Sequence, residues 1–168
     1  MKSFRQFISE GKQVGIVYHY TTVDILSRIL ADDSLRGGGN GISVTRDQNF
    51  HKHYRIGMKG RQCRLELDGD EISNRYKVRP YNDFSEYHSD AEPYRHKESH
   101  DEQEELIKTS DLKNVSSYIL GISFFRMPTN AMVATLDDRG IPYTVMTKFI
   151  KDLEDKWSKY RRANDEDV

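Results

Sequence analysis

Between positions 14 and 32 the spacing of apolar residues changes period. VGIVYHY (14–20) is apolar or aromatic at nearly every position and predicts a strand. Directly after it Val23, Ile25, Leu26, Ile29 and Leu30 recur at helical spacing as far as Asp32, with Thr22 placed as an N-cap. Upstream, MKSFRQFISE (1–10) gathers Phe4, Phe7 and Ile8 on one helical face, and Gly11 ends it. RGGGNG (36–41) predicts a turn, because four of its six residues are glycine. Strands follow at ISVT (42–45), QCRLELDG (62–69) and YKVRPY (76–81). From 82 to 100 the pattern is aperiodic and predicts a long exposed loop. EELIK (104–108), YILGISFF (118–125) and IPYTV (141–145) read as later strands. Pro128 opens a helix through Leu136, and 146–162 forms another with Phe149, Ile150, Leu153, Trp157 and Tyr160 as its apolar stripe. Strands interleaved with helices predict an α+β fold.

Composition narrows the class. The chain has 168 residues, 36% hydrophobic and 32% charged, with ten Tyr and seven Phe, which is enough to fold a single domain with a real core. No apolar run approaches the roughly 20 residues a membrane span needs, so a soluble protein is expected. Cys63 is the only cysteine, which excludes an intrachain disulfide and a thiolate metal cluster and suits a reducing compartment. The formal net charge of −1 conceals segregation. Residues 46–64 carry Arg46, Lys52, Arg55, Lys59, Arg61 and Arg64 against Asp47 alone, whereas residues 83–105 carry nine acids against Arg95 and Lys97. Such blocks are either solvated loops or the two walls of a charged cleft.

Three familiar chemistries are poorly supported. His51, His53, His88, His96 and His100 accumulate near carboxylates, yet lack the paired close spacing of a structural zinc site. RGGGNG does not match a phosphate-binding loop and is not followed by a helix. Cys63 sits in an alternating strand, where a small buried hydrophobe is the commoner role than a nucleophile.

A fourth constellation is more informative: His19 at the end of the first strand, SVTRD (43–47) on a second, and DEQEE (101–105) entering a later one. Alternation puts Ser43 and Thr45 on one face of their strand, and Glu102 and Glu104 on one face of theirs. At these residues the chain resembles the ADP-ribosyltransferase fold, especially small phage and toxin-related members. The resemblance lies in YHYTTVDILSRIL, GISVTRD, RLELDGDEIS and DEQEELI, in that order over about 100 residues. It implies a split mixed β-sheet with flanking helices around a cleft for NAD, the co-substrate.

It also implies roles. Cleaving the nicotinamide–ribose bond develops positive charge on the ribose, so a nearby carboxylate gains most in the transition state. Glu104 is expected in that role, Glu102 orients the acceptor, and Glu105 is the register alternative. His19 would hydrogen-bond a ribose hydroxyl, Ser43 or Thr45 would support the carboxylate or that ribose, and Arg46 has the planar fork suited to pyrophosphate. Tyr20 or Tyr54 would stack on nicotinamide. The N-terminus, MKSFRQFISE before Gly11, resembles the leader that directs internal proteins of tailed phages into the capsid, removed after an Ile/Leu-x-Glu sequence that Ile8-Ser9-Glu10 fits; the other reading is a plain amphipathic helix. Residues 11–168 then form one domain. The expected protein is a phage-encoded ADP-ribosyltransferase acting on a host protein or nucleic acid, found in the virion interior or host cytoplasm. The alternatives are a packaged virion or morphogenesis protein with the fold but no catalysis, and a nucleic-acid binder using 46–64 with Phe50 and Tyr54.

Overall fold

A computed structural model describes residues 14–39, 41–49, 62–80, 104–148, 150–152 and 155. The expected N-terminal helix or leader, the 82–100 loop and Glu102 lie outside the described residues, as do Tyr54, Phe149, Leu153, Trp157, Tyr160 and the five histidines from His51 to His100.

Strand β1 (Ile16–Thr21) is the middle strand of the main sheet. The helix α1 (Val23–Asp32) begins where Thr22 Oγ1 accepts the Ile25 amide at 3.2 Å, as its sequence predicts. It ends at Asp33, a non-glycine residue in the left-handed region (φ 45°), whose own carboxylate is engaged by Ser116. The chain then runs through β2 (Ser34–Arg36), the glycine turn and β3 (Ile42–Thr45). Further on come β4 (Cys63–Asp68), the short helix α2 (Gly69–Ser73), β5 (Val78–Pro80), β6 (Glu104–Ile107) and β7 (Asp111–Lys113). A 3-10 helix (Val115–Tyr118), β8 (Ile119–Phe124), α3 (Asn130–Asp138) and β9 (Tyr143–Val145) follow, and residues 147–148 and 150–152 are helical again.

Seven strands form one sheet in the order β5-β6-β3-β1-β4-β8-β9, antiparallel throughout except for the parallel β8–β9 pair. β2 and β7 make a separate two-stranded sheet. The fold is therefore mixed α+β, built on a mostly antiparallel sheet with a few helices. No helix among the described residues is long and apolar enough to cross a membrane.

Four elements escape the hydrophobic pattern: β2, β7, the 3-10 helix and α2 are three to five residues long, too short to show a period. α2 exists because Asp68 caps it, accepting the Glu71 amide at 2.9 Å. Its Asp70 carboxylate also accepts the amides of Val14 (2.6 Å) and Gly15 (2.9 Å), anchoring the start of β1. The helix expected from Pro128 starts two residues later, at Asn130, because the Thr129 hydroxyl accepts the Met132 amide and makes Thr129 the N-cap.

The pairing register assigns the two faces of the sheet. Tyr18 opposes Thr45 and Glu66, Arg64 opposes Tyr20 and Ser123, and Ser43 opposes Leu106. Directly opposed residues share a face, so Tyr18, Tyr20, Ser43, Thr45, Arg64, Glu66, Leu106 and Ser123 lie on one side. Val17, Val44, Cys63, Leu65, Leu67, Ile107, Ile122 and Phe124 lie on the other. That second side packs with Leu26, Ile29 and Leu30 of α1 and with Met132 and Leu136 of α3 into one apolar core. Burying each such side chain contributes about 1.5–3 kcal/mol. Cys63 is in this core, its Sγ 3.4 Å from the Thr21 carbonyl, and burial pushes its thiol up to about 12, far from a thiolate nucleophile.

Candidate active site

The three strands singled out for chemistry are immediate neighbours, β6-β3-β1. Thr45 is paired with Glu104 and Val44 with Glu105. Gly41, just before β3, has φ 128° and lies so close to β6 that a Cβ there would collide with the Ile107 carbonyl. Glycine thus permits the approach of the hydroxyl strand to the glutamate strand.

The register divides the expected site residues between the two faces. Tyr18 and Thr45 share a face, so their neighbours His19 and Val44 share the other, and Glu105 joins Val44 there. Arg46 reaches the same carboxylate, its Nε donating to Glu105 Oε1. His19, Arg46 and Glu105 therefore lie on the core side of the sheet, with His19 level with Val44 and Glu105 and with Arg46 beyond them toward the start of β1. Ser43, Thr45 and Tyr20 occupy the opposite side. Ser43 is exposed there, whereas Thr45 is buried and its Oγ1 accepts the Asp47 amide at 3.0 Å. One pocket lined jointly by His19 and the side chains of Ser43 or Thr45 is not formed, because the sheet lies between them.

Within the first group the environments differ. His19 Nδ1 lies 3.0 Å from the Ser43 carbonyl oxygen, the geometry of a ring N–H donor, which ties the imidazole to β3. Glu105 is only 7% exposed, a carboxylate removed from water and compensated by the guanidinium beside it. The Arg46 side chain remains 43% exposed, and its terminal nitrogens have no partner among the described residues. One end of this arginine is thus committed to Glu105 and the other faces outward, a disposition that fits a phosphate or pyrophosphate.

On the opposite face a second polar group forms around Arg64, 5% exposed. Its Nη2 donates to Glu66 (2.5 Å) and Ser123 (3.0 Å), Nη1 donates to the Gln48 carbonyl (2.6 Å), and the guanidinium lies over the rings of Tyr18 (4.9 Å) and Phe125 (5.9 Å). Tyr20 stacks on Phe125 with centroids 6.1 Å apart and donates its hydroxyl to the same Gln48 carbonyl at 2.8 Å. Burial, with a smaller effect of the Glu66 carboxylate, raises the Tyr18 phenol above its ordinary value. Arg64 belongs to the basic stretch 46–64 that the alternative, nucleic-acid-binding reading uses. Its burial, and its bonds through both terminal nitrogens to Glu66, Ser123 and the Gln48 carbonyl, remove it from that surface, while its Nε is buried without a hydrogen-bond partner among the described residues. Its i, i+2 relation to Glu66 in an alternating strand was the available signal that the two share a face. Among the described residues no group of three or more metal-ligating side chains occurs.

No protein-family model matches the chain, and neither a curated protein nor a solved structure matches it significantly.

Proposed function

We propose that the protein transfers ADP-ribose from NAD to a macromolecular acceptor, with Glu105, Arg46 and His19 as the residues that act on the co-substrate. One observation carries this reading: adjacent strands β1, β3 and β6 deliver an imidazole, a half-exposed guanidinium and a nearly buried carboxylate to one face. NAD supplies an activated glycosidic bond. The bond electrons leave with nicotinamide, positive charge grows at the ribose, and the Glu105 carboxylate stabilises that charge in a site of low dielectric. Arg46 binds pyrophosphate with its outward nitrogens while its Nε holds Glu105 in place. His19, tied to the Ser43 carbonyl, is the residue assigned to a ribose hydroxyl in this reading. Glu104 is the rival for the carboxylate role and Glu102 the expected acceptor-orienting residue. The acceptor is a host protein or nucleic acid. A phage-encoded protein carried in the virion and released into the host cytoplasm, with residues 1–10 as a removable leader, is the setting this reading favours.

The test is incubation with NAD labelled in its adenylate half, in the presence of bacterial lysate. Label transfer by the wild type, reduced at least about 100-fold by Glu105→Gln and less by Glu104→Gln or Glu102→Gln, is the expected result. Transfer that survives Glu105→Gln but not Glu104→Gln moves the carboxylate role one residue back. Absence of both transfer and NAD hydrolysis by the wild type overturns the proposal in favour of a non-catalytic protein.

A further inference from the structure

The segment leaving the end of β3, residues 46–49, begins with Arg46. Two local side-chain turns shape it: Thr45 Oγ1 accepts the Asp47 amide at 3.0 Å and Asp47 Oδ1 accepts the Asn49 amide at 2.7 Å. Local turns alone set the curvature of such a segment and leave its position over the sheet open. That position is supplied from two other strands. The Tyr20 hydroxyl of β1 and Arg64 Nη1 of β4 both donate to one acceptor, the Gln48 carbonyl, at 2.8 and 2.6 Å. A carbonyl has two lone pairs, and here both are used by side chains of the sheet.

We propose that Tyr20 and Arg64 are positioning residues that clamp the 46–49 turn through Gln48 and thereby hold Arg46 against Glu105; the part of this concerning NAD rests on the function proposed above. Neither donor is adjustable. Arg64 is fixed by Glu66, Ser123 and two aromatic rings, and Tyr20 by Phe125. Arg46 leaves β3 on the core side of the sheet, whereas the clamp grips the turn two residues later on the opposite side. The turn therefore wraps the end of β3 and is held from behind, and the backbone that carries Arg46 cannot move away from Glu105 without straining the bonds at Gln48. Tyr20 acts here through its hydroxyl on backbone, in place of the nicotinamide stacking expected for it.

Tyr20→Phe removes the phenol oxygen and keeps the ring on Phe125, so it tests the clamp without emptying a packed site. Loss of one such bond is expected to speed hydrogen exchange of the Asp47 and Asn49 amides about fivefold. The KM for NAD should rise by a similar factor, with kcat within about twofold of wild type. Adding Tyr20→Phe to Arg46→Ala should raise KM no further than Arg46→Ala alone, since both act through one side chain. Arg64→Lys, which keeps the charge and loses the fork, should shift exchange in the same direction. A merely structural role would lower the unfolding midpoint and leave KM unchanged. Wild-type exchange rates at Asp47 and Asn49 in Tyr20→Phe overturn the clamp. Faster exchange with unchanged KM overturns its link to Arg46. A wild type that neither binds nor consumes NAD overturns the transferase reading, while exchange still decides whether the clamp exists.

Discussion

Single residues in this protein owe their chemistry to the side of the sheet on which they fall. Glu105 and its neighbour Glu104 differ by one register step, yet Glu105 is paired with Val44 on the core side and contacts Arg46, while Glu104 is paired with Thr45. Cys63 illustrates the same control in the opposite sense. It lies in the core with its thiol pushed up to about 12 by desolvation, so at pH 8 it is protonated and inaccessible. Native protein should therefore leave Cys63 unmodified by iodoacetamide over hours at pH 8, and protein in 8 M urea should be fully alkylated within minutes, as mass spectrometry would read. Rapid labelling of the native state would contradict the burial. That Cys63 packs as a small hydrophobe was legible in its alternating strand; the sequestering of Arg64 was not. A charge among six basic residues reads as surface until the pairing of β4 with β1 and β8 surrounds it with Tyr18, Glu66 and Ser123.

At the level of elements, the long strands and α1 follow from local rules, and the short pieces follow from caps and close approaches. ISVT becomes β3 over the predicted residues, and EELIK becomes β6 less its last residue. β2 and β7 pair only with each other, and three residues apiece carry no period to read. The β3–β6 pair on which the candidate site depends is gated by Gly41. Gly41→Ala places a Cβ against the Ile107 carbonyl at a φ that side chains rarely adopt. It should cost about 1–3 kcal/mol in urea denaturation and should lower NAD consumption along with stability, because Arg46 and Glu105 sit on the two strands it forces apart. Gly39→Ala, whose Cβ would meet open space, is the matched control and should change the urea midpoint little. Equal midpoints for the two variants would show that the close approach does not limit this pair.

For the molecule as a whole, two carboxylates tie distant segments together and make stability depend on acid. Asp33, at the end of α1, accepts from the Ser116 hydroxyl (2.6 Å) and amide (2.8 Å), and these bonds lower its pKa below the ordinary value of 3.8. Asp111 of β7 is lowered too, first by Lys113 and then by Ser34. A folded-state pKa below the unfolded one adds stability that is present in full above the unfolded value and is lost as pH falls through the folded one. The urea midpoint should thus hold from pH 6 to about pH 4.5 and fall below the ordinary carboxylate range. Asp33→Asn should lower the midpoint at pH 6 and reduce the further fall toward pH 3; an unchanged acid limb would remove Asp33 from the account. Such ties join residues 83 positions apart (Asp33 and Ser116) and 77 apart (Ser34 and Asp111), and no local pattern announces them. The amino-acid sequence by itself determined the periods, caps and turns: the strand that becomes helix at Thr22, the glycine turn before β3, and the order of the His, Ser/Thr and Glu strands. Only the tertiary structure decided that these strands lie side by side, that His19 faces with Glu105 while Ser43 and Thr45 face away, and that Arg64 is interior. The physical reason is that alternation relates residues within one strand, whereas the face two strands share is set by the hydrogen-bond register between them, and a shift of one residue reverses it.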